Sequence, residues 1–309
     1  MRSIWAPGGQ ERFKGVTLRT YADTWIEQRD LRPRTRVLYR GLLDGLIFPS
    51  LGDASLVALT SETVRGWYYA LDPSTPTRRA HAYGLLRTIL NSAVADELLD
   101  RCPCTIRAGA STKRKHEVVV ITPAQVDAVA MEIPEELRLA VYLAGWCALR
   151  FGEAFELRRG DISPDCSTVS VTRAVSYLDK RFQVGPPKTV SSIRTVSIPP
   201  HIRKLVREHL SNFVKPEQDS LLFSRSDGTH VGHHHFLYPW HRATRLAKVE
   251  GLRFHDLRHV GATMAARAGG TTAEIQARLG HTTNAAAARY QHGTRVRDDA
   301  LAKKMSKLR

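Results

Sequence analysis

The sequence predicts a mainly α-helical chain with a small antiparallel β-sheet, divided into an all-helical N-terminal domain and an α+β C-terminal domain. Apolar residues recur at helical spacing through most of the 309 residues. Short runs rich in β-branched residues, separated by polar turns, lie between residues 168 and 198. A polar stretch over residues 101–118 separates the two domains.

The first hundred residues predict a flexible lead and a compact helical domain. Residues 1–16 are polar and contain glycine, whereas residues 17–100 carry apolar stripes at helical spacing. Thr60 is predicted to start a helix, and a fourth helix is predicted over residues 77–95. The predicted inward-facing residues are Tyr21, Trp25 and Ile26; Leu38, Leu42, Leu43 and Leu46; Val64, Trp67 and Tyr68; and Leu85, Leu86, Ile89, Leu90 and Val94.

Residues 101–118 are predicted to form an exposed linker, and residues 119–309 the second domain. Thr122 followed by proline predicts a capped helix, and residues 136–147 predict a buried one. The predicted helix that follows contains Phe155 and Leu157. Strands are predicted over residues 168–174, 181–184 and 194–198, and helices again from Pro200 onward.

The charge balance points to a polyanionic partner. Forty-six Lys and Arg residues against 30 Asp and Glu residues give a formal charge of +16, and cations that neutralise phosphates release counterions from nucleic acid. The basic run at 113–115 is either solvated or lies along DNA. Four scattered cysteines favour a reducing compartment. No signal peptide is recognised at the N-terminus, and the longest apolar run has about 11 residues, too few to span a bilayer. A cytoplasmic location is expected.

The candidates for chemistry cluster near the C-terminus. His255 and Arg258 are three apart on a predicted helix and therefore share one face, and His281 and Tyr290 follow. Arginine and histidine suit a phosphate, and a tyrosine hydroxyl can hold a phosphoryl group covalently. Arg150 follows the buried helix, and Lys188 lies in a polar turn between strands. Taken alone, the arginines and the lysine are more typical of ion-pair partners or solvated side chains, and Tyr290 of a half-buried aromatic; the histidines are also compatible with a structural role in the core.

In this order the residues resemble the tyrosine recombinase, or phage integrase, family from about Val16 to the C-terminus. Leu149-Arg150-Phe151-Gly152-Glu153 resembles the first arginine box, and Lys188 with Arg194 resembles the β-hairpin lysine segment. The stretch from His255 to His259 matches the His-x-x-Arg box, and Leu279-Gly280-His281 with Tyr290 matches the last box. The sequence departs from the family pattern at Val260, Gly261 and residues 285–288, which puts local packing in doubt more than chemistry.

The resemblance implies a covalent mechanism without metal or cofactor. Tyr290 would attack a DNA phosphate to give a 3′-phosphotyrosine, while Arg150 and Arg258 hold the non-bridging oxygens. Lys188 would protonate the leaving 5′-oxygen, and His255 would accept the tyrosine proton. His281 would donate a further hydrogen bond to the phosphate. The energy of the phosphodiester is kept in the tyrosyl bond, so that ATP is not required.

The resemblance also implies partners. The N-terminal domain would contact double-stranded DNA at core sites, and the candidate contacts are Arg34, Arg36, Arg40, Arg78 and Arg79. Four protomers would exchange strands through a Holliday junction, with an accessory directionality factor as a possible partner. A last helix over residues 297–308 would dock on its own domain or on a neighbouring subunit. The few residues before Val16 leave no room for an arm-binding domain, as expected for a simpler or truncated enzyme.

Several alternatives stay open at this point. A Xer-type resolvase or a transposon recombinase would carry the same six residues, and a DNA-binding regulator could keep the fold without catalysis. His233-His234-His235 could bind a metal, but the triplet lacks ligands at metal-site spacing, and a polar helix start is favoured. Cys102 and Cys104 with His116 fit no common zinc site.

Overall fold

The computed structural model describes residues 15–112, 119, 121–187 and 192–280. The chain divides into two compact units, Met1–His116 and Glu117–Arg309. The described residues are mainly helical with small antiparallel sheets, which confirms the predicted fold class. Within these ranges, none of the helices combines the length and apolar character needed to cross a bilayer.

Helices alone build the described part of the first unit. Thr17 and Thr60 cap two of them, each accepting a hydrogen bond from a backbone N–H three residues on, and the predicted helix start at Thr60 is confirmed. The elements are α1 (Leu18–Gln28), α2 (Pro33–Leu42), a π-helix (Leu43–Ile47), α3 (Phe48–Leu51), a 3₁₀ turn (Leu56–Ala58), α4 (Ser61–Ala70) and α5 (Pro76–Ala95).

Most of the predicted core of this unit is buried, with a notable exception in α2. Leu38 is 47% exposed, so its predicted inward position is wrong. The inner face of α2 is formed instead by Tyr39, which packs 6.2 Å from the Trp25 ring, and by buried Leu42. Leu38 is one residue before Tyr39, and a step of about 100° around the helix turns it outward. Val94 is only partly buried because Ala93 takes the inward position.

The described part of the segment after α5 is exposed at most positions, as expected for a linker, but a few of its residues pack on the first unit. Cys104 is buried, and the backbone N–H of Ile106 donates to the Tyr83 hydroxyl at 2.7 Å. Gly109 lies against the Tyr83 ring, where an added Cβ would come within 2.8 Å. Burying the large Tyr83 ring and satisfying its hydroxyl accounts for this packing. The basic run 113–115 lies outside the described residues.

The second unit combines seven described α-helices with two short antiparallel strand pairs. Its helices are α6 (Pro123–Glu132), α7 (Glu135–Trp146), α8 (Phe151–Ala154), α9 (Pro200–Asn212), α10 (His233–Leu246), α11 (Phe254–Arg267) and α12 (Thr272–Leu279). Thr122 and Gln125 form the capping box that starts α6, and α7 is the predicted buried helix. The predicted helix containing Phe155 and Leu157 is shorter than expected: α8 ends at Ala154, and both side chains are buried just beyond it.

The predicted single sheet is two separate two-stranded sheets. β1 (Thr168–Val171) pairs with β4 (Arg194–Ser197), and β2 (Ala174–Leu178) pairs with β3 (Arg181–Gly185), both antiparallel. The predicted strand over residues 168–174 therefore covers all of β1 and the first residue of β2. Arg173 leaves the ladder and donates to Asp161 at 2.6 Å, which separates β1 from β2.

The sequence departures at Val260 and Gly261 are packing positions in α11. Val260 is buried, and a Cβ added to Gly261 would come within 2.4 Å of the Gly145 carbonyl oxygen of α7. The absence of a side chain at 261 therefore allows α11 to approach α7 closely. This contact places Arg258, one turn earlier, beside the end of α7.

Candidate active site

Arg150 is held at the start of α8 by an ion pair with Glu153. The Glu153 carboxylate accepts from the Arg150 backbone N–H at 3.0 Å and from its guanidinium at 2.5 Å. The same guanidinium donates to Ser192 Oγ at 3.2 Å and to the Gly280 carbonyl at 3.4 Å. Its side chain is 31% exposed, so this arginine is oriented by protein contacts while still reaching solvent.

Glu153 joins Arg150 to a second arginine. The Arg194 guanidinium, from β4, donates to the other Glu153 oxygen at 3.0 Å, and both side chains are almost fully buried. Burial alone raises the pKa of Glu153, but the hydrogen bond and charge of Arg194, together with Arg150, hold this pKa below its usual value. The carboxylate is therefore ionised at neutral pH, and the group of three carries a net charge of about +1.

Arg258 lies on α11 and, like Arg150, contacts the carboxyl end of α12. It is 2% exposed, and its guanidinium donates to the carbonyls of Ala148 and Leu279. Ala148 adopts φ +56, a left-handed conformation that turns the chain between α7 and Arg150. The bonds from Arg258 therefore link the turn before Arg150 to the end of α12.

The three arginines converge on the carboxyl end of α12. Arg194 donates to the carbonyl of Arg278, Arg258 to that of Leu279, and Arg150 to that of Gly280. The last carbonyls of a helix have no partner within the helix and carry partial negative charge, so guanidinium groups suit them. Gly280 ends the helix in a left-handed conformation with φ +59. The result is a concentration of positive charge immediately before residue 281.

His255 shares α11 with Arg258 but differs from it in exposure. The His255 side chain is exposed, whereas Arg258 one turn later is buried. The rings of His255 and His259 meet edge to face, with centroids 5.5 Å apart. The imidazole of His255 is therefore accessible from solvent, one helical turn from the buried Arg258 guanidinium.

Half of the predicted catalytic set can be located. Arg150 and Arg258 are brought together, and His255 lies one helical turn from Arg258. Lys188, His281 and Tyr290 lie outside the described residues. Sequence reasoning did not assign a role to Glu153, although its position three residues after Arg150 is the spacing of a helix-start carboxylate.

The arginines predicted to contact DNA from the first unit differ in the contacts that they make within that unit. Arg36 donates to the carbonyls of Ile26 and Arg29, at 2.7 and 3.0 Å, and Arg40 pairs with Asp23 at 2.5 Å. The guanidinium of Arg79 stacks over the Tyr68 ring at 4.1 Å. Arg34 and Arg78 are exposed. The first three therefore have clear structural roles within the unit.

The alternative metal sites gain no support from the geometry. In the described ranges, no three His, Cys, Asp or Glu side chains are grouped so that they could hold a metal ion. His233 packs against Phe151 and His234 against Tyr177, with ring centroids 5.0 and 5.6 Å apart. Cys102 and Cys104 are free thiols, and His116 lies outside the described residues.

Comparison with known proteins gives consistent matches. The model of the phage integrase family matches residues 119–296. A putative prophage phiRv2 integrase of Mycobacterium tuberculosis is 39% identical over 310 residues, covering 99% of this chain and 83% of that protein. The match thus extends through the first unit as well.

Solved structures share the fold at low sequence identity. The Tn1549 transposon integrase, in complex with a circular intermediate DNA, aligns with a TM-score of 0.76 at 16% identity, covering 92% of this chain and 98% of that one. A lambda integrase tetramer bound to a Holliday junction aligns with a TM-score of 0.62 at 17% identity, covering 90% and 78%.

Proposed function

The chain belongs to the phage integrase family and is a site-specific tyrosine recombinase, and we propose that Arg150, Arg258 and Tyr290 are the centre of its active site. The observation that carries this proposal is the convergence of Arg150 and Arg258 on neighbouring carbonyls at the end of α12. A pair of guanidiniums held by the protein is suited to a phosphodiester, whose charge increases in the transition state.

In the proposed cleavage step, the Tyr290 oxygen bonds to the scissile phosphorus while the bond from phosphorus to the 5′-oxygen breaks. His255 accepts the phenol proton, and Lys188 gives a proton to the leaving 5′-oxygen. Neutral phenol has a pKa of about 10 and is a weak nucleophile, so removal of its proton is needed. Attack of another strand's 5′-hydroxyl on the phosphotyrosine reverses these transfers and rejoins DNA.

Arg150 and Arg258 would bind the non-bridging oxygens of that phosphate, and His281 would add a hydrogen bond. Glu153 supports this role because it fixes Arg150 through its backbone N–H and its guanidinium. Glu153 and Arg194 are positioning residues in this scheme. No step requires a metal ion or a cofactor, because the phosphotyrosine keeps the energy of the broken bond.

Similarity to the relatives supports a proposal for the substrate and the assembly. We propose that double-stranded DNA with an attachment core site is the substrate, that the reaction integrates and excises mobile DNA, and that four protomers act together. The 39% identity to a prophage integrase supports the biological role, and the lambda integrase tetramer on a Holliday junction supports the assembly. The proposal includes DNA contacts made by the first unit and an accessory directionality factor. The rival functions are those of a Xer-type resolvase and a transposon recombinase.

A nicked suicide substrate tests the reaction. Duplexes bound by the full chain are selected from a random pool, and a nick beside the scissile phosphate lets the 5′-end diffuse away after cleavage. A protein–DNA adduct that survives denaturation, disappears in Tyr290→Phe and carries its nucleotide on Tyr290 is expected. Tight binding of the selected duplex without an adduct would instead favour a catalytically inactive regulator.

A further inference from the structure

An exposed apolar pair on α2 lies between basic residues. Val37 is 44% exposed and Leu38 is 47% exposed, although the sequence pattern would place Leu38 in the core. The other exposed positions on this helix include Arg34, one turn before Leu38, and Gly41, one turn after Val37. Adjacent large apolar side chains on one helix face form a small apolar patch that is accessible to a partner.

The opposite face of α2 is fixed to the rest of the unit. Arg36 donates to the carbonyls of Ile26 and Arg29 at the end of α1, and Arg40 pairs with Asp23 of α1. Tyr39 and Leu42 pack on the core. These contacts leave α2 no freedom to rotate its apolar pair inward, so Val37 and Leu38 are presented on a rigid helix.

The surroundings of the pair favour a polyanion. Arg34 lies towards the start of α2, and the Arg78 guanidinium, from α5, comes within 3.1 Å of where a Gly45 side chain would begin. A Cβ added at Gly41 would meet no atom within 4 Å, so the backbone there is open to close approach. A DNA major groove, roughly 12 Å wide, admits an α-helix.

We propose that Val37 and Leu38 read thymine methyl groups in the major groove of the core site, with Arg34 and Arg78 on the flanking phosphates. Thymine is the base that presents a methyl group in that groove, and an apolar contact to it needs aliphatic side chains such as these. Phosphate contacts fix the register without reading sequence, whereas contacts to base edges specify it. The proposal rests on the recombinase function and adds residues that determine which sites are chosen.

Replacing thymine with deoxyuridine tests the proposal, because this change removes only the methyl group. Wild-type full chain is measured on its selected core duplex and on duplexes with single thymine-to-uridine changes. One or more changes are expected to weaken binding about tenfold, within the cost of a mismatched contact. In Leu38→Ala or Val37→Ala the same change is expected to have little further effect, because the partner of the methyl group is already gone.

Two further variants separate base reading from general binding. Val57→Ala is the matched control, since Val57 is 47% exposed in the same unit, and it is expected to keep the full uridine effect. Arg34→Gln is expected to weaken binding to all duplexes alike and to reduce the salt dependence by about one ion. Thermal melting should be unchanged in Leu38→Ala, since the side chain is exposed.

Three results would overturn the inference. In the first, no thymine-to-uridine change weakens DNA binding by the wild-type chain. In the second, such a change weakens DNA binding by Leu38→Ala as much as binding by the wild-type chain. A loss of self-association in Leu38→Ala with unchanged base preference would assign the pair to a protein contact instead. Each of these leaves adduct formation by the wild-type chain intact, whereas failure of the recombinase function itself removes the adduct on every duplex.

Discussion

Two buried glutamates three residues apart show how differently one unit uses the same side chain. Glu153 and Glu156 are 2% and 1% exposed. Glu153 is paired with Arg150 and Arg194, at the place where the proposed active site lies. Glu156 accepts from His230 at 2.5 Å and from Arg158 at 3.0 Å, with Arg173 nearby at 3.5 Å.

The difference lies in the partners. In both cases burial raises the carboxyl pKa, and the partners outweigh it: the charge and hydrogen bonds of arginine for Glu153, and those of His230 and Arg158 for Glu156. Arg194, beside Glu153, is more deeply buried than Arg158, beside Glu156, at 6% against 31% exposed. The arginine partners of Glu156 can therefore be hydrated if its carboxylate is lost, whereas Arg194 cannot.

The largest effect is expected for Glu153→Gln. This change leaves Arg194 buried without its counter-charge, and breaking a buried ion pair from one side costs about 3–5 kcal/mol. Urea unfolding monitors the loss of stability, and the rate of adduct formation should fall because Arg150 loses its support. Glu208→Gln is the control, since the Glu208 pair with Lys204 is exposed and contributes under about 1 kcal/mol.

A smaller loss is expected for Glu156→Gln. Arg158 and Arg173 are about one-third exposed and can be solvated, so the cost should be about 1–3 kcal/mol. Adduct formation at saturating protein should stay near the wild-type rate. Equal losses in the two glutamate variants would contradict the comparison, since the partners would then not matter.

The dependence of stability on acid pH gives a further test of the two glutamates. Both glutamates have a pKa below the usual value of 4.5 in the folded state. A depressed carboxyl pKa stabilises the folded state at pH values above the unfolded-state pKa, and this contribution is lost as pH falls through the folded-state pKa. Unfolding free energy should therefore decline below about pH 4.5, by at most about 1.4 kcal/mol per pH unit for each proton. Glu153→Gln should show a shallower decline of the unfolding free energy with falling pH. An unchanged slope would mean that protonation of Glu153 does not contribute to the loss of stability in acid.

The smallest effect is expected for His230→Gln. Glutamine can still donate a hydrogen bond to Glu156, so the loss should be about 1 kcal/mol or less. The measurement is again urea unfolding at pH 7. A loss as large as that of Glu156→Gln would mean that the histidine, and not the two arginines, compensates most of the buried charge.

The sequence predicted the elements around the site better than the contacts within it. The helix starts at Thr60 and Thr122, the buried helix before Arg150 and the His-x-x-Arg helix follow from caps and apolar spacing, which depend on residues close in the chain. The division of residues 168–198 into two sheets was missed. It depends on Arg173 pairing with Asp161, and a long side chain's partner cannot be inferred from local spacing.

The fold class, the positive charge and the order of motifs that identifies the family could be read from the residues alone, because these are properties of composition and of short periodic patterns. The meeting of Arg150, Arg194 and Arg258 at the end of α12, and the outward position of Leu38, became visible in the folded chain. The physical reason is that a guanidinium binds whichever carbonyl or carboxylate the folded backbone brings within reach. Likewise, one residue of helical phase decides whether a leucine lies in the core or at the surface.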